Sequence, residues 1–168
     1  MERRESWQVE AVERGGRAEH AFEAIMRHFL IDMPISGAEN PRELLGIYGA
    51  KYGRHGIAPD YVFRHRETDR AVFVELKRQR AKGNAHERAC KFMMPGILNS
   101  IRQIGNQPRG VIPVWWIFAD EIASDPRYKR EILHWFRGIE AHVLLWENIT
   151  DYRPVVDHFE EHIQPLLR

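Results

Sequence analysis

The run Val111-Ile-Pro-Val-Trp-Trp-Ile-Phe-Ala119 constrains the fold more than any other stretch of the chain. It is continuously apolar and rich in β-prone residues. It is also far too short to cross a bilayer, which takes about 20 apolar residues in a helix. Val111–Phe118 therefore reads as a buried strand, with Pro113 placing its start near a sheet edge. His142–Trp146 reads as a second buried strand.

Elsewhere the apolar residues change period. In Arg17–Leu30, the positions Ala18, Phe22, Ile25, Met26, Phe29 and Leu30 share one face at helical spacing, and Pro34 lies just past the end. Pro34–Gly56 reads as loop, with a short helix around Arg42–Leu45 and a basic surface stretch at Gly49–Gly56. Asp60–His65 and Ala71–Leu76 read as strands joined by the polar turn Glu67–Arg70, a hairpin. Ala85–Ile104 reads as a helix presenting Ala85, Ala89, Met93, Ile97 and Ile101, kinked or split at Pro95-Gly96 because proline removes a backbone donor. Arg127–Arg137 and Val155–Leu167 complete the helices. Strands alternating with helices predict an α/β fold with a mixed central sheet flanked by helices.

The length of 168 residues is that of one domain spanning 1–168, with 1–14 frayed because it lacks an apolar face. A formal net charge of +1 means that any nucleic-acid site is a local patch rather than a global field. The single cysteine, Cys90, excludes a disulfide framework and a cysteine zinc cluster, and reads as a small buried hydrophobe. Met1–Gly16 is charged and is no signal peptide. A reduced cytoplasmic compartment, with no membrane contact, is the expectation.

The chemistry concentrates between Ala58 and Lys77. In a strand, residues i and i+2 share a face, so Glu75 and Lys77 point the same way. Asp60 opens the antiparallel neighbour, and a hairpin brings that opening beside the end of its partner. Two carboxylates and an ammonium thus converge. Mg²⁺ prefers hard oxygen ligands, often one or two carboxylates with water and a substrate phosphate. Asp60 and Glu75 are the expected ligands, with the Leu76 carbonyl as a third and Mn²⁺ as a possible substitute for Mg²⁺. Such an ion polarises a phosphoryl group and acidifies a water. Lys77 would orient that water and offset transition-state charge. Glu19 and Glu23 lie off the apolar stripe of the first helix, and Glu19 is the preferred additional acid. An acid-x-Lys pair alone is also a common solvated surface pair, so the upstream Pro59-Asp60 carries much of the weight.

After Lys77 come Arg78-Gln79 and then Gly83-Asn-Ala-His-Glu-Arg-Ala-Cys-Lys91. The pattern Pro-Asp…Glu-x-Lys, a glutamine, and Gly-Asn-Ala-x-Glu-Arg-x-x-Lys resembles the EcoRI/MunI-like type II restriction endonucleases of the PD-(D/E)xK nuclease superfamily. The resemblance covers roughly Ala58–Lys91. It implies a restriction-endonuclease-like core and a homodimer that cuts a short palindrome in double-stranded DNA with Mg²⁺. It also implies that Gln79, Asn84, Ala85, Glu87, Arg88 and Lys91 contact DNA, with Glu87 holding Arg88. Asparagine can bond adenine bidentately and arginine can grip guanine in the major groove. Lys77, Arg78, Arg80, Lys82, Arg88 and Lys91 form a basic cluster able to neutralise phosphates. A structural reading of the same residues stands beside this. Asn84 can N-cap the following helix and Glu87 can complete a capping box with no DNA at all. A structure-specific repair or recombination nuclease of the same fold, and a non-catalytic DNA-binding module, are the competing functions. The histidines show no metal spacing and read as surface or packing residues.

Overall fold

A computed structural model describes residues 18–47, 56–78 and 84–168. The expectations for the frayed 1–14, for most of the Gly49–Gly56 stretch, and for Gln79, Arg80 and Lys82 lie outside the described residues.

Helix α1 (Ala18–Phe29) buries Ala18, Ala21, Phe22, Ile25 and Met26, a 3-4-3-4 spacing that lays one stripe against the sheet. The sheet has five strands in the order β1-β2-β3-β4-β5: β1 (Ile35–Glu39), β2 (Tyr61–His65), β3 (Ala71–Arg78), β4 (Val114–Ala119) and β5 (Val143–Trp146). β1, β2 and β3 pair antiparallel, while β3, β4 and β5 pair parallel, so the sheet is mixed as expected.

Every residue of β4 is buried. Trp115, Ile117 and Ala119 pack into one core with α1 and the C-terminal helices. Val114, Trp116 and Phe118 pack into a second core on the opposite face. A strand covered on both faces has no polar side, which is why the run was continuously apolar. β4 is nevertheless central rather than marginal. Pro113 lies just before it, and its carbonyl accepts from Phe73 N at 2.9 Å. A proline immediately ahead of the strand needs no ladder donor of its own, so its presence says nothing about an edge.

Four further features have local causes. β1 was not anticipated: of Ile-Ser-Gly-Ala-Glu only Ile35 is buried, so this edge strand carries no alternation. The Arg42–Leu45 helix is a turn instead. Leu45 N→Arg42 O and Ile47 N→Leu44 O close i→i+3 bonds, and Gly46 at φ 83° ends the turn in a conformation a helix cannot continue. The Ala85–Ile104 helix is split, as its proline required, into α2 (Ala85–Ala89), a 3₁₀ turn (Cys90–Met93) and α3 (Pro95–Ile104). Met94, forced out of the helical region before Pro95, sits at ψ 128°. A short helix α4 (Glu121–Ser124) precedes α5 (Pro126–Trp135), which buries Tyr128 and Ile132 and leaves Trp135 only partly buried.

After β5 the chain ends in α6 (Arg153–His158), a π turn (Phe159–Ile163) and α7 (Gln164–Leu167). Pro165 in α7 cannot donate and would crowd the carbonyl of a preceding α turn, and the wider π turn relieves that conflict. Among the described residues no helix is long and apolar enough to cross a membrane.

Candidate active site

The hairpin register pairs Tyr61 with Val74 as its last couple. Asp60 lies just before that couple and Glu75 just after it. β3 then continues to Arg78 without β2 beside it, paired on its other edge to β4. The Leu76 N–H, past the end of the hairpin ladder, donates instead to Asp60 Oδ2 at 2.7 Å. That bond fixes the Asp60 carboxylate against the end of the strand that carries Glu75 and Lys77.

The three side chains converge as expected. Lys77 Nζ lies 2.5 Å from Glu75 Oε1 and 3.7 Å from Asp60 Oδ2, and it also reaches the Leu76 carbonyl at 3.4 Å. Glu75 is 1% exposed, and its Oε2 is buried without a hydrogen-bond partner. Burial pushes the Glu75 carboxyl up from its ordinary value, Lys77 opposes the rise by charge and hydrogen bond, and Asp60 adds to it. Burial likewise raises Asp60, against the pull of Lys77 and the Leu76 N–H, and Glu19 adds a smaller upward push. Lys91 also lowers both carboxyls by charge, yet burial outweighs the two lysines and leaves both raised.

Glu19, in the first turn of α1, is exposed and lines a cavity of about 280 Å³ together with His20, Asn40, Asp60, Tyr61 and Leu76. It is within electrostatic reach of Asp60, with no direct bond between them. Arg78 is turned away from this cluster by strand alternation and pairs with Asp120 at the end of β4.

The segment beyond β3 has two faces. Asn84, Glu87, Arg88 and Lys91 are all exposed and recur at i, i+3, i+4 and i+7. His86, Ala89 and Phe92 are buried on the other side. Ala85 opens α2, and its side chain lies outside the described residues. The capping box is not formed: Asn84 occupies the N-cap but makes no side-chain cap bond. The structural explanation for Asn84 and Glu87 is thereby removed, and both side chains are left facing solvent.

Three features were not legible as functional. Lys91 was assigned to DNA, yet its Nζ also lies 3.5 Å from Glu75 Oε1, tying the segment to the carboxylate cluster. His86 was read as surface or packing; it packs, buried against Trp135, and nothing in the sequence signalled its bond to Glu131. Cys90 is half-buried rather than buried, with its thiol pushed up by burial and by Glu87.

The donors present fit a hard divalent cation. Glu75 Oε2 is a carboxylate oxygen out of water with no donor, and Asp60 Oδ2 and the Leu76 carbonyl lie 3.7 and 3.4 Å from the Lys77 Nζ that also meets Glu75. Among the described residues no group of three or more His, Cys, Asp or Glu side chains could hold a metal. Two carboxylates and a carbonyl would leave room for water and phosphate oxygen around such an ion.

A curated relative, the type II restriction enzyme MunI of Mycoplasma sp., is 32% identical over 123 residues; the match covers 67% of this chain and 61% of that enzyme's length. The crystal structure of MunI restriction endonuclease in complex with cognate DNA superposes with a TM-score of 0.79 at 24% identity, covering 95% of this chain and 94% of that one. The model of the family described as type II restriction enzyme MunI matches residues 1–168, and the chain belongs to that family.

Proposed function

We propose that this chain is a single PD-(D/E)xK nuclease domain that hydrolyses phosphodiester bonds in double-stranded DNA at a defined sequence, using Mg²⁺ and working as a homodimer. The observation that supports it most is the convergence of Asp60, Glu75 and Lys77, with a buried Glu75 oxygen left unpartnered. Membership of the MunI family supports it from a second direction.

Asp60, Glu75 and the Leu76 carbonyl would hold the ion. When bound, it polarises the scissile phosphoryl group and lowers the pKa of a water. Lys77, already within reach of both carboxylates, positions its ammonium where a phosphate oxygen would develop charge. Glu19 adds negative potential on the cavity side of Asp60. The exposed face of Asn84, Glu87 and Arg88 reads base edges, and the family resemblance adds Ala85 and Gln79 to the residues that contact DNA. Asparagine and arginine carry the donor patterns that distinguish adenine and guanine in the major groove. Lys91 supplies a phosphate contact.

The test is cleavage of supercoiled plasmid with Mg²⁺, beside Asp60→Ala and Lys77→Ala. Sharp fragments from wild type and none from either variant are expected. A smear or nicking abolished by both substitutions would replace sequence-specific cutting with the structure-specific reading. No cleavage of duplex, single-stranded or branched DNA with Mg²⁺ or Mn²⁺ would leave a DNA-binding module.

A further inference from the structure

The base-reading face proposed above sits on a weak platform. α2 has five residues, and its N-cap residue makes no side-chain cap bond. A single turn of helix is not stable by itself in water. What fixes it is therefore tertiary. Trp116 Nε1 donates to the Ala89 carbonyl at 3.1 Å, and Phe92 is fully buried just beyond. These contacts hold the C-terminal end of the segment. At the N-terminal end, next to Asn84, stands His86.

His86 is 3% exposed. Its ring stacks on Trp135 at 4.9 Å and 11° and meets Tyr128 edge-on at 5.1 Å. Its Nε2 lies 2.8 Å from Glu131 Oε2, so the ring N–H donates to a carboxylate. Trp135, Glu131 and Tyr128 all belong to α5. Its start is well anchored, because Asp125 Oδ1 accepts from Arg127 N at 2.7 Å. An aliphatic side chain would fill this site without leaving a buried polar atom, whereas His86 Nδ1 is buried without a partner. What the imidazole adds is direction. The stack fixes the plane of the ring, and the bond to Glu131 fixes its rotation within that plane. Together they set the roll of α2 about its own axis. His86 also stands at the x of Gly-Asn-Ala-x-Glu-Arg, between the residues read as contacting bases.

We infer that His86, clamped by Glu131 and Trp135, is a positioning residue that sets the angle at which Asn84, Glu87 and Arg88 meet the DNA, and so governs sequence discrimination. This rests on the reading of that segment as the base reader. Hydrogen bonds to base edges weaken steeply beyond about 3.2 Å or off axis, so a small roll of a short helix costs discrimination before it costs chemistry at Lys77.

The experiment uses the full chain and two duplexes: one carrying the site mapped from plasmid fragments, and one with a single base pair of that site changed. The readout is the ratio of kcat/KM on the two duplexes, together with kcat at saturating mapped duplex. Glu131→Ala is the primary variant, because that side chain is 41% exposed and its loss leaves the core filled. His86→Phe keeps a ring on Trp135 without the donor, and His86→Gln keeps a donor. Glu131→Ala and His86→Phe should lower the ratio about tenfold, the size expected for one charge-assisted hydrogen bond. The loss should fall in KM on the mapped site, with kcat within about twofold, and His86→Gln should restore most of the ratio. A Glu131→Ala protein with wild-type melting temperature and an unchanged ratio would overturn the inference and leave His86 a packing residue. Asn84→Ala and Arg88→Ala separate the two levels. If they collapse the ratio while Glu131→Ala does not, the positioning role alone fails. If they leave it unchanged, the segment is not the reader and the inference falls with it.

Discussion

His158, at the end of α6, makes a sharp prediction about acid stability. Its Nε2 lies 3.1 Å from the Val143 carbonyl and must donate to it. Its Nδ1 is then the bare nitrogen, buried and without a partner. The ring stacks on Trp115 at 5.5 Å and 5° and faces the His162 ring at 4.7 Å. A second proton would have to go onto Nδ1, where no acceptor waits. Burial first, and then His162, lower the His158 pKa from 6.5 to about 4. The folded value is depressed, so the unfolded chain takes the proton first. Stability is therefore lost as pH falls through 6.5 toward 4, and the loss levels off below that. At pH 5 the linkage relation gives about 2 kcal/mol, trimmed to between about 1 and 2 because the ring is only partly shielded from water. His142, also lowered by burial, adds in the same direction, while the raised Asp60 and Glu75 act in the opposite one. The contribution of His158 is thus isolated by difference. Urea unfolding at pH 7.5 and pH 5.0 is compared for wild type and His158→Phe, which keeps a ring on Trp115. Losing the Val143 bond lowers the variant equally at both pH values. Wild type should lose at least about 1 kcal/mol more than the variant between the two pH values. Equal losses would refute the argument that Nδ1 is the site of the penalty.

Two further outcomes follow from the same geometry. Gly37→Ala places a Cβ over the Tyr61 hydroxyl and 2.7 Å from Tyr61 Cε1. Tyr61 is itself buried against Phe22, so melting followed by circular dichroism should fall by several degrees, corresponding to about 1–3 kcal/mol of overpacking. Mg²⁺ at about ten times its dissociation constant should raise the melting temperature by roughly 3–5 °C, from about 1.4 kcal/mol of binding linkage. That rise should vanish in Glu75→Gln, and an equal rise in both proteins would remove Glu75 from the ligand set.

Legibility in the sequence followed burial. β4 could be read because both its faces are covered, and α1 because its stripe is continuous. The hairpin could be read because Tyr61 and Phe63 share one face of a β-prone run and a polar turn follows. β1 could not be read. Ser36, Gly37, Ala38 and Glu39 are all exposed, and what holds them is the backbone ladder to β2, which leaves no trace in side-chain pattern. At the site, Asp60, Glu75 and Lys77 were recoverable from strand alternation across a hairpin. The links from Lys91 to Glu75 and from His86 to Glu131 were not. Both bridge elements brought together by the sheet, separated by 16 residues in one case and 45 in the other, and no periodicity spans such a gap. The capping box was a reasonable local expectation that the structure does not meet. Its absence leaves Asn84 and Glu87 exposed, with Asn84 tied to the helix only through its carbonyl, which accepts from Arg88 N at 3.1 Å.

On the proposed assignments, the residues for cleavage and those for reading lie close together in the fold. β3 ends beside the carboxylates, and α2 begins seven residues after Arg78. Two turns on, Lys91 has come back to within 3.5 Å of Glu75 Oε1. Glu75 thus faces two lysines, one on its own strand and one on the segment read as contacting DNA. Lys77 is 18% exposed and firmly placed, whereas Lys91 is 46% exposed and can swing away. Drawing Lys91 onto a DNA phosphate would remove positive charge from Glu75 and leave its buried carboxylate more dependent on a cation. A carboxylate that loses a lysine when DNA arrives binds a metal more tightly at that moment. On the proposed assignments, Lys91 is the one side chain that would link docking on DNA to the charge around Glu75.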